Sequence, residues 1–313
     1  MVEQTDTSRR QGITIAAVVV LYYPHEAIIR RLLGSLADQV DVLYAIDNTP
    51  GSEGLWPFGP GQKAFSVTYV PLGKNRGLAE AQNIGIEMCL SGGYSHVLLL
   101  DQDSALSPDM VNKVLAAEQT LRKANPKIAA VVPQILDGRT GRRPCAYRYG
   151  WLGARKLYRD VDSSTPVQTD FFIASGALIR TAVFRELGMM RSDLLIDHVD
   201  TEWALRAHTA GYRSYCVPNA TLIHSLGDGS KRILGKDVYL YSEIRYYYRL
   251  RNEVYLSKLP TMGWNWRVYI VPMIPYHFVL YSLLSKNRLR VARLLMKAIW
   301  DGVNDKLGPS PGF

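Results

Sequence analysis

Residues 13–22 form a near-continuous apolar run, with Val18, Val19 and Val20 in succession, and Pro24 ends it. A run this short and this rich in β-branched side chains predicts a strand buried on both faces of a parallel sheet. Ile28, Ile29, Leu32, Leu33 and Leu36 then recur at helical spacing. Residues 42–46 and 65–70 predict further strands, separated by a loop at 49–62 that is rich in Gly and Pro. Residues 77–90 predict a helix, with Leu78, Ala81, Ile84, Ile86 and Met88 apolar. Val97, Leu98, Leu99 and Leu100 predict another buried strand, which leaves the core at Asp101-Gln102-Asp103-Ser104. Ser107-Pro108-Asp109 predicts a helix start, with Ser107 as N-cap and Pro108 in the first helical position. Residues 128–134 predict one more strand. Strands alternating with helices up to this point predict a doubly wound α/β sheet.

The second half is less regular. Residues 171–180 predict strand, turn at Ser175-Gly176, strand. Residues 200–210 predict a helix, with Asp200 as N-cap and Gly211 as its stop. The segment 238–259 is rich in Tyr and Arg. Residues 264–284 are mostly apolar but contain Pro272, Pro275 and His277, which argues against a membrane-spanning helix. Residues 286–297 predict a basic amphipathic helix, with Leu289, Leu294 and Leu295 set against Arg288, Arg290, Arg293 and Lys297. Trp264, Trp266, Tyr269, Tyr276 and Tyr281 are residues that favour a membrane interface. Together with the basic helix they predict a peripheral contact with an anionic membrane; a packed helical appendage is the plainer alternative.

Composition narrows the partners. The chain has 313 residues, 47% of them hydrophobic, enough for a large core and too apolar for global disorder. A net charge of +9 favours an anionic partner, a nucleotide or a lipid surface. No basic run is interleaved with aromatics, so nucleic acid is not expected. Cys89, Cys145 and Cys216 are scattered and lack metal-ligand spacing, which suits a reducing compartment. The polar segment 1–11 has no apolar signal core, so a cytoplasmic protein is expected.

The candidate chemistry lies at the predicted strand ends, where open α/β sheets bind ligands. Those ends carry Tyr22-Tyr23, Asp47-Asn48 and Asp101-Gln102-Asp103, and Gly73-Lys74-Asn75-Arg76-Gly77 precedes a helix. Two carboxylates two residues apart suit a divalent cation bound together with substrate phosphates. A nucleotide could lie there with its base near Asp47, its ribose near Asp101 and its diphosphate metal near Asp103. No G-x-G-x-x-G follows the first strand, and no phosphate loop of the G-x-x-x-x-G-K-[ST] type is present.

Further pieces extend this set: Val19-Val20-Leu21-Tyr22, Asn75-Arg76-Gly77-Leu78-Ala79, Gln82-Asn83-Ile84-Gly85, Asp197-His198-Val199-Asp200-Thr201-Glu202-Trp203, Leu205-Arg206-Ala207, His224, Tyr246-Tyr247 and Arg251-Asn252. In this order the chain, from residue 13 to 252, resembles the inverting nucleotide-sugar glycosyltransferases of the GT-A fold, family two. Within that group it is most similar to bacterial rhamnosyltransferases that use dTDP-L-rhamnose. The resemblance implies a Rossmann-like, mostly parallel sheet with helices on both faces and a C-terminal helical extension. It implies a catalytic domain over 12–235, with a nucleotide-binding half at 12–135 and an acceptor half at 136–235. Residues 1–11 would then be a polar tail and 236–313 the basic, aromatic extension.

By the same resemblance, Tyr22, Asp47, Asn48, Asn75, Gly77, Asn83, Asp101 and Gln102 bind the nucleotide-sugar, with Asp47 on the base. Asp103, Asp101 and His224 hold Mg²⁺ or Mn²⁺. Asp200 is the general base for a hydroxyl of a bacterial polysaccharide or lipid-linked glycan. The usual Glu-Asp pair is here Val199-Asp200, which leaves Asp197 as the other candidate base. A UDP- or GDP-sugar donor, an aspartyl-nucleophile phosphotransferase and a non-catalytic sugar-nucleotide binder are the competing readings. The sequence leaves oligomerisation open.

Overall fold

The apolar runs become the centre of one ten-stranded sheet in the computed structural model. The structure describes residues 12–58, 65–137, 141–142, 144–150, 153–224, 229–233 and 236–310. The tail at 1–11, loop residues 59–62 and the boundary at 235 lie outside the described residues. The strands are β1 (Ile15–Leu21), β2 (Val42–Asp47), β3 (Ser66–Pro71), β4 (His96–Asp101), β5 (Ala105–Leu106), β6 (Ile128–Asp137) and β7 (Gly141–Arg142). They continue as β8 (Ala146–Gly150), β9 (Gly153–Leu157), β10 (Val167–Thr169), β11 (Ala177–Arg180), β12 (Arg213–His224), β13 (Gly229–Ile233) and β14 (Lys236–Leu240). The helices are α1 (Glu26–Leu36), α2 (Leu78–Ser91), α3 (Met110–Ala124), α4 (Thr181–Leu187), α5 (Val199–Thr209), α6 (Glu243–Lys258), α7 (Trp264–Leu284) and α8 (Arg288–Val303).

The main path of the sheet runs β10-β12-β6-β11-β4-β1-β2-β3, with β5 on β12 and β7 on β6. β1, β2, β3 and β4 pair in parallel. β11 is antiparallel to both β4 and β6, and β12 runs parallel to β6. Two reversals through β11 restore the direction, so β6 and β12 end at the same edge as β1, β2 and β4. That edge gathers the chemistry.

Side-chain alternation divides the core in two. Ala16 and Val18 of β1 and Val97 and Leu99 of β4 face α2 and α5. Ile15, Ala17, Val19 and Leu21, with Leu98 and Leu100, face α1 and α3. Burial on both sides explains why these strands read as continuous apolar runs. α6, α7 and α8 form a third cluster around Tyr246, Tyr247, Leu250, Tyr281 and Leu295.

Several boundaries differ from expectation, each for a local reason. α3 starts at Met110 rather than at Pro108, with Asp109 in the left-handed region. The Ser107 hydroxyl instead accepts the N–H of Thr221 at 3.3 Å, tying the segment to β12. Asp200 is not the N-cap of α5; His198 is, and Asp200 is the second helical residue. Residues 171–176 are not a regular strand: an isolated bridge at Phe171 is followed by irregular chain up to β11. α7 runs unbroken through Pro272 and Pro275, both on an exposed face. Among the described residues it is the one helix long and apolar enough to cross a membrane by length and composition. One of its faces nevertheless packs on the protein: Tyr281 is buried and stacks on Tyr246 at 4.3 Å. In α8 Leu295 is buried, but Leu289 is 76% exposed and lies outside the packed face.

Candidate active site

The parallel strands place Asp47 and Asp101 at C-terminal ends on either side of β1. In register, Leu21 of β1 pairs with Asp47 and Val20 with Asp101. Gln102 closes the gap beyond β1. Its side-chain carbonyl accepts the N–H of Tyr22 at 2.9 Å, and its amide donates to the Tyr22 carbonyl at 3.1 Å. This reproduces one step of strand pairing with a side chain, and leaves the Tyr22 and Tyr23 rings exposed.

Asp47 is buried, yet it lines a cleft of about 480 Å³ together with Tyr23, Thr49, Ser52 and Tyr69. Its Oδ1 accepts the N–H of Thr49 at 2.9 Å, and its Oδ2 accepts the Tyr69 hydroxyl at 2.8 Å. Burial, then the neighbouring carboxylate, push the Tyr69 phenol up to about 12, so it stays a donor. Beside it, Asn48 donates to Asn75 Oδ1 at 2.9 Å and accepts the N–H of Arg76 at 2.7 Å. Asn75 Oδ1 also accepts the N–H of Gly77 at 2.9 Å. The two asparagines thus shape the turn before α2. Gly77 has φ of 86°, and a Cβ there would sit 2.7 Å from Leu195 Cδ2 and 3.0 Å from Leu195 Cα. Asn83 lies further along α2; both ends of its amide bond the backbone of Met190, at 2.8 and 3.0 Å.

The carboxylate pair meets its histidine across the sheet. β12 delivers His224 to the shared edge, and β5 pairing with β12 folds Asp101–Ser104 against it. His224 Nδ1 lies 3.0 Å from Asp103 Oδ1 and His224 Nε2 lies 3.5 Å from Asp101 Oδ2. One ligand atom from each of the three lies within 4.8 Å of the others. Burial pushes the Asp101 carboxyl up, His224 lowers it, and Asp103 raises it again. Two carboxylates and an imidazole drawn this close fit a divalent cation of the Mg²⁺ or Mn²⁺ kind. Arg31 of α1 donates to the Asp103 carbonyl at 2.9 Å.

Asp200 comes from the first turn of α5. Its Oδ1 accepts the N–H of Thr201 at 2.7 Å, and its Oδ2 accepts the N–H of Ala174 at 3.3 Å. The next residue, Ser175, meets the turn that follows β4: its hydroxyl accepts the N–H of Asp101 at 3.3 Å and lies 2.6 Å from the Ser104 hydroxyl. Two consecutive residues therefore bridge Asp200 to the Asp101–Ser104 turn. Burial pushes the Asp200 carboxyl up, the Thr201 and Ala174 amides and His198 lower it, and Asp101 adds a raising charge effect. Asp197, the other candidate base, is held in a two-pronged ion pair by Arg245, at 2.9 and 3.2 Å. Asp47, Asp101, Asp103, Asp200 and His224 thus share one edge of the sheet.

Residues 17–188, more than half of the chain, match the family model described as Glycosyl transferase family 2. The chain belongs to this family. It is a glycosyltransferase with the GT-A architecture of family 2. It is 29% identical over 294 residues to a Shigella flexneri protein described as dTDP-rhamnosyl transferase RfbF, covering 94% of this chain and 97% of that one. Among solved structures, it resembles GalNAc-T7 with UDP, GalNAc and Mn²⁺ at a TM-score of 0.58 and 16% identity, covering 94% of this chain and 57% of that one. It also resembles S. aureus TarS 1-349 in complex with UDP at a TM-score of 0.55 and 14% identity, covering 94% and 83%. These two likenesses are of fold.

Sequence reasoning missed Tyr69, Ala174, Ser175, Arg31 and Arg245. Ser175-Gly176 was legible as a turn, but its place between Asp101 and Asp200 follows only from the antiparallel run of β11. Tyr147 and Tyr149 lie on β8. Tyr149 packs between Phe171, at 6.0 Å, and Tyr269 of α7, at 5.4 Å.

Proposed function

We propose that this glycosyltransferase moves L-rhamnose from dTDP-L-rhamnose, with inversion, to a hydroxyl of a bacterial polysaccharide or lipid-linked glycan. The observation that carries the reading is that Asp200 is joined to the Asp101–Asp103–His224 cluster through the consecutive residues Ala174 and Ser175. A single displacement needs one base near the acceptor and no enzymatic nucleophile. Asp200 takes the acceptor proton as the acceptor oxygen bonds to the anomeric carbon and the bond from that carbon to the diphosphate oxygen breaks. The Thr201 amide at the start of α5 favours the charged carboxylate that this role needs. Arg245 neutralises Asp197, which leaves Asp200 the better placed of the two.

Asp101, Asp103 and His224 would hold Mg²⁺ or Mn²⁺, which supplies positive charge to the departing diphosphate. Asp47 receives the pyrimidine base in the cleft beside Tyr69, and Tyr22 and Tyr23 flank its entrance. The donor choice is supported by the likeness to the Shigella flexneri protein over nearly both full lengths. The C-terminal helices suit a peripheral site on the inner face of the cell membrane. Val271, Tyr276, Val279 and Leu283 line the exposed face of α7, and Arg288, Arg290 and Arg293 follow on exposed positions.

A panel of dTDP-, UDP- and GDP-sugars, with Mg²⁺ or Mn²⁺, tests the donor by thermal shift and turnover. Binding to the native state raises stability by mass action. dTDP-L-rhamnose should give the largest metal-dependent shift and should turn over. A larger shift and faster turnover with a UDP- or GDP-sugar would replace the donor and keep the chemistry.

A further inference from the structure

α6 presents to the rest of the protein a buried polar face that the reaction described above does not use. Glu253 is fully buried. Its Oε1 lies 3.2 Å from His198 Nε2 and 3.4 Å from Arg249 Nε, and its Oε2 lies 2.8 Å from His277 Nδ1. His198 is the cap of α5, two residues before Asp200. His277 belongs to α7, where its ring stacks on Tyr281 at 5.2 Å. One carboxylate therefore joins the segment that carries the base to α7 of the C-terminal extension.

The segment it holds is strained. Leu195, Asp197 and His198 have φ of 65°, 60° and 62°, a region that side chains other than glycine's disfavour. α6 supplies what keeps it there. The Asn252 amide donates to the carbonyls of Leu194, Ile196 and Asp197 at 3.0, 2.9 and 3.0 Å. Arg245 grips the Asp197 carboxylate from the same helix. Asn252 and Arg245 fix the path of the turn, whereas Glu253 acts on the last residue before α5. Other groups facing the carboxylate are Tyr269 and Tyr281 of α7, with Arg249 on α6. Burial alone would push the Glu253 carboxyl up; the bonds from His198 and His277 hold it well below the usual carboxylate range. It is thus a fixed negative charge against which both histidines are oriented.

We propose that Glu253 is a positioning residue for Asp200: through His198 it aims the start of α5, and through His277 it makes that aim depend on the seating of α7. This rests on the reading of Asp200 as the base. Glu253→Gln should lower kcat by about tenfold to a hundredfold, the scale of a misplaced reacting group, while KM for the donor and nucleoside-diphosphate binding stay unchanged. The pH profile carries a second readout. His198 is among the groups that lower Asp200, and Glu253→Gln removes the carboxylate that orients its ring. Asp200 then rises, and the acid limb of kcat moves to higher pH.

His277→Gln should give a smaller loss of the same kind, because His198 keeps its bond to Glu253. His198→Gln serves where Glu253→Gln does not fold, and melting temperatures report folding for all variants. Wild-type kcat and an unmoved acid limb in Glu253→Gln or His198→Gln would overturn the proposal. So would kcat and donor affinity that fall together in step with melting temperature. Asp200→Asn separates the two readings. If it abolishes transfer while Glu253→Gln and His198→Gln behave as wild type, only the positioning role fails; if it leaves transfer intact, the base reading fails and the positioning role with it.

Discussion

At the scale of single residues, Asp200 and Tyr69 make the sharpest claims. Asp200 is a carboxylate that burial pushes up, so below its raised value it carries a proton and cannot take one from the acceptor. Transfer should fall as pH drops through a range above the ordinary aspartate value of about 3.9, read as the acid limb of kcat. Asp200→Asn keeps the shape and removes the base. It should cost about 10²–10⁴ in kcat with donor KM unchanged, measured by initial rates. Tyr69→Phe removes one hydrogen bond from Asp47 Oδ2 and little volume. The expected loss is about 1 kcal/mol in stability by denaturant titration, and KM for the donor should change more than kcat. Much of this site was legible in sequence, because carboxylates at the ends of apolar runs announce strand edges. Tyr69, Ser175 and Arg245 were not legible: each acts on a residue far away in the chain, and nothing near it in sequence records that partner.

At the scale of elements, the sheet was legible where strands are buried on both faces and obscure where they are short or reversed. β1, β2 and β4 stand out as apolar runs because helices cover both sides. β11, four residues and antiparallel, gave no sign of its direction, and the bridge from Asp101 to Asp200 depends on it. Helix starts were misplaced at α3 and α5 because Ser107 and Asp200 bond elsewhere, to β12 and to the loop before β11. Close packing of α2 on β1 supplies a prediction at this scale. A Cβ at Gly85 would lie 2.3 Å from Val18 Cγ1, in the middle of the sheet. Gly85→Ala should destabilise the fold by about 1–3 kcal/mol, measured by urea unfolding, since a packed core takes extra volume poorly. Adding Val18→Ala opens the space, so the double variant should be more stable than the two single losses added together.

At the scale of the whole molecule, the C-terminal helices leave two exposed apolar stripes, with exposed arginines in the first turns of α8. On α7 the stripe is Val271, Tyr276, Val279 and Leu283; on α8 it is Leu289, Met296, Trp300 and Val303. Such a surface is costly in water and would suit the boundary of a bilayer, where Arg288, Arg290 and Arg293 would meet anionic headgroups. α7 does not need to span the membrane, since His277 and Tyr281 fasten its other face to α6. The chain should sediment with vesicles containing phosphatidylglycerol, bind phosphatidylcholine vesicles far less, and leave the anionic ones as salt is added. At about 1 kcal/mol for each basic residue, replacing the three arginines with Gln should weaken that binding by about a hundredfold. Val279→Ser with Leu283→Ser removes apolar contact instead, so it should weaken binding at every salt concentration. Equal binding to both vesicle types, or none to either, would assign the stripes to another surface. The two sets of variants thereby separate attraction to headgroups from burial in the bilayer edge, and only a membrane contact predicts a loss in both.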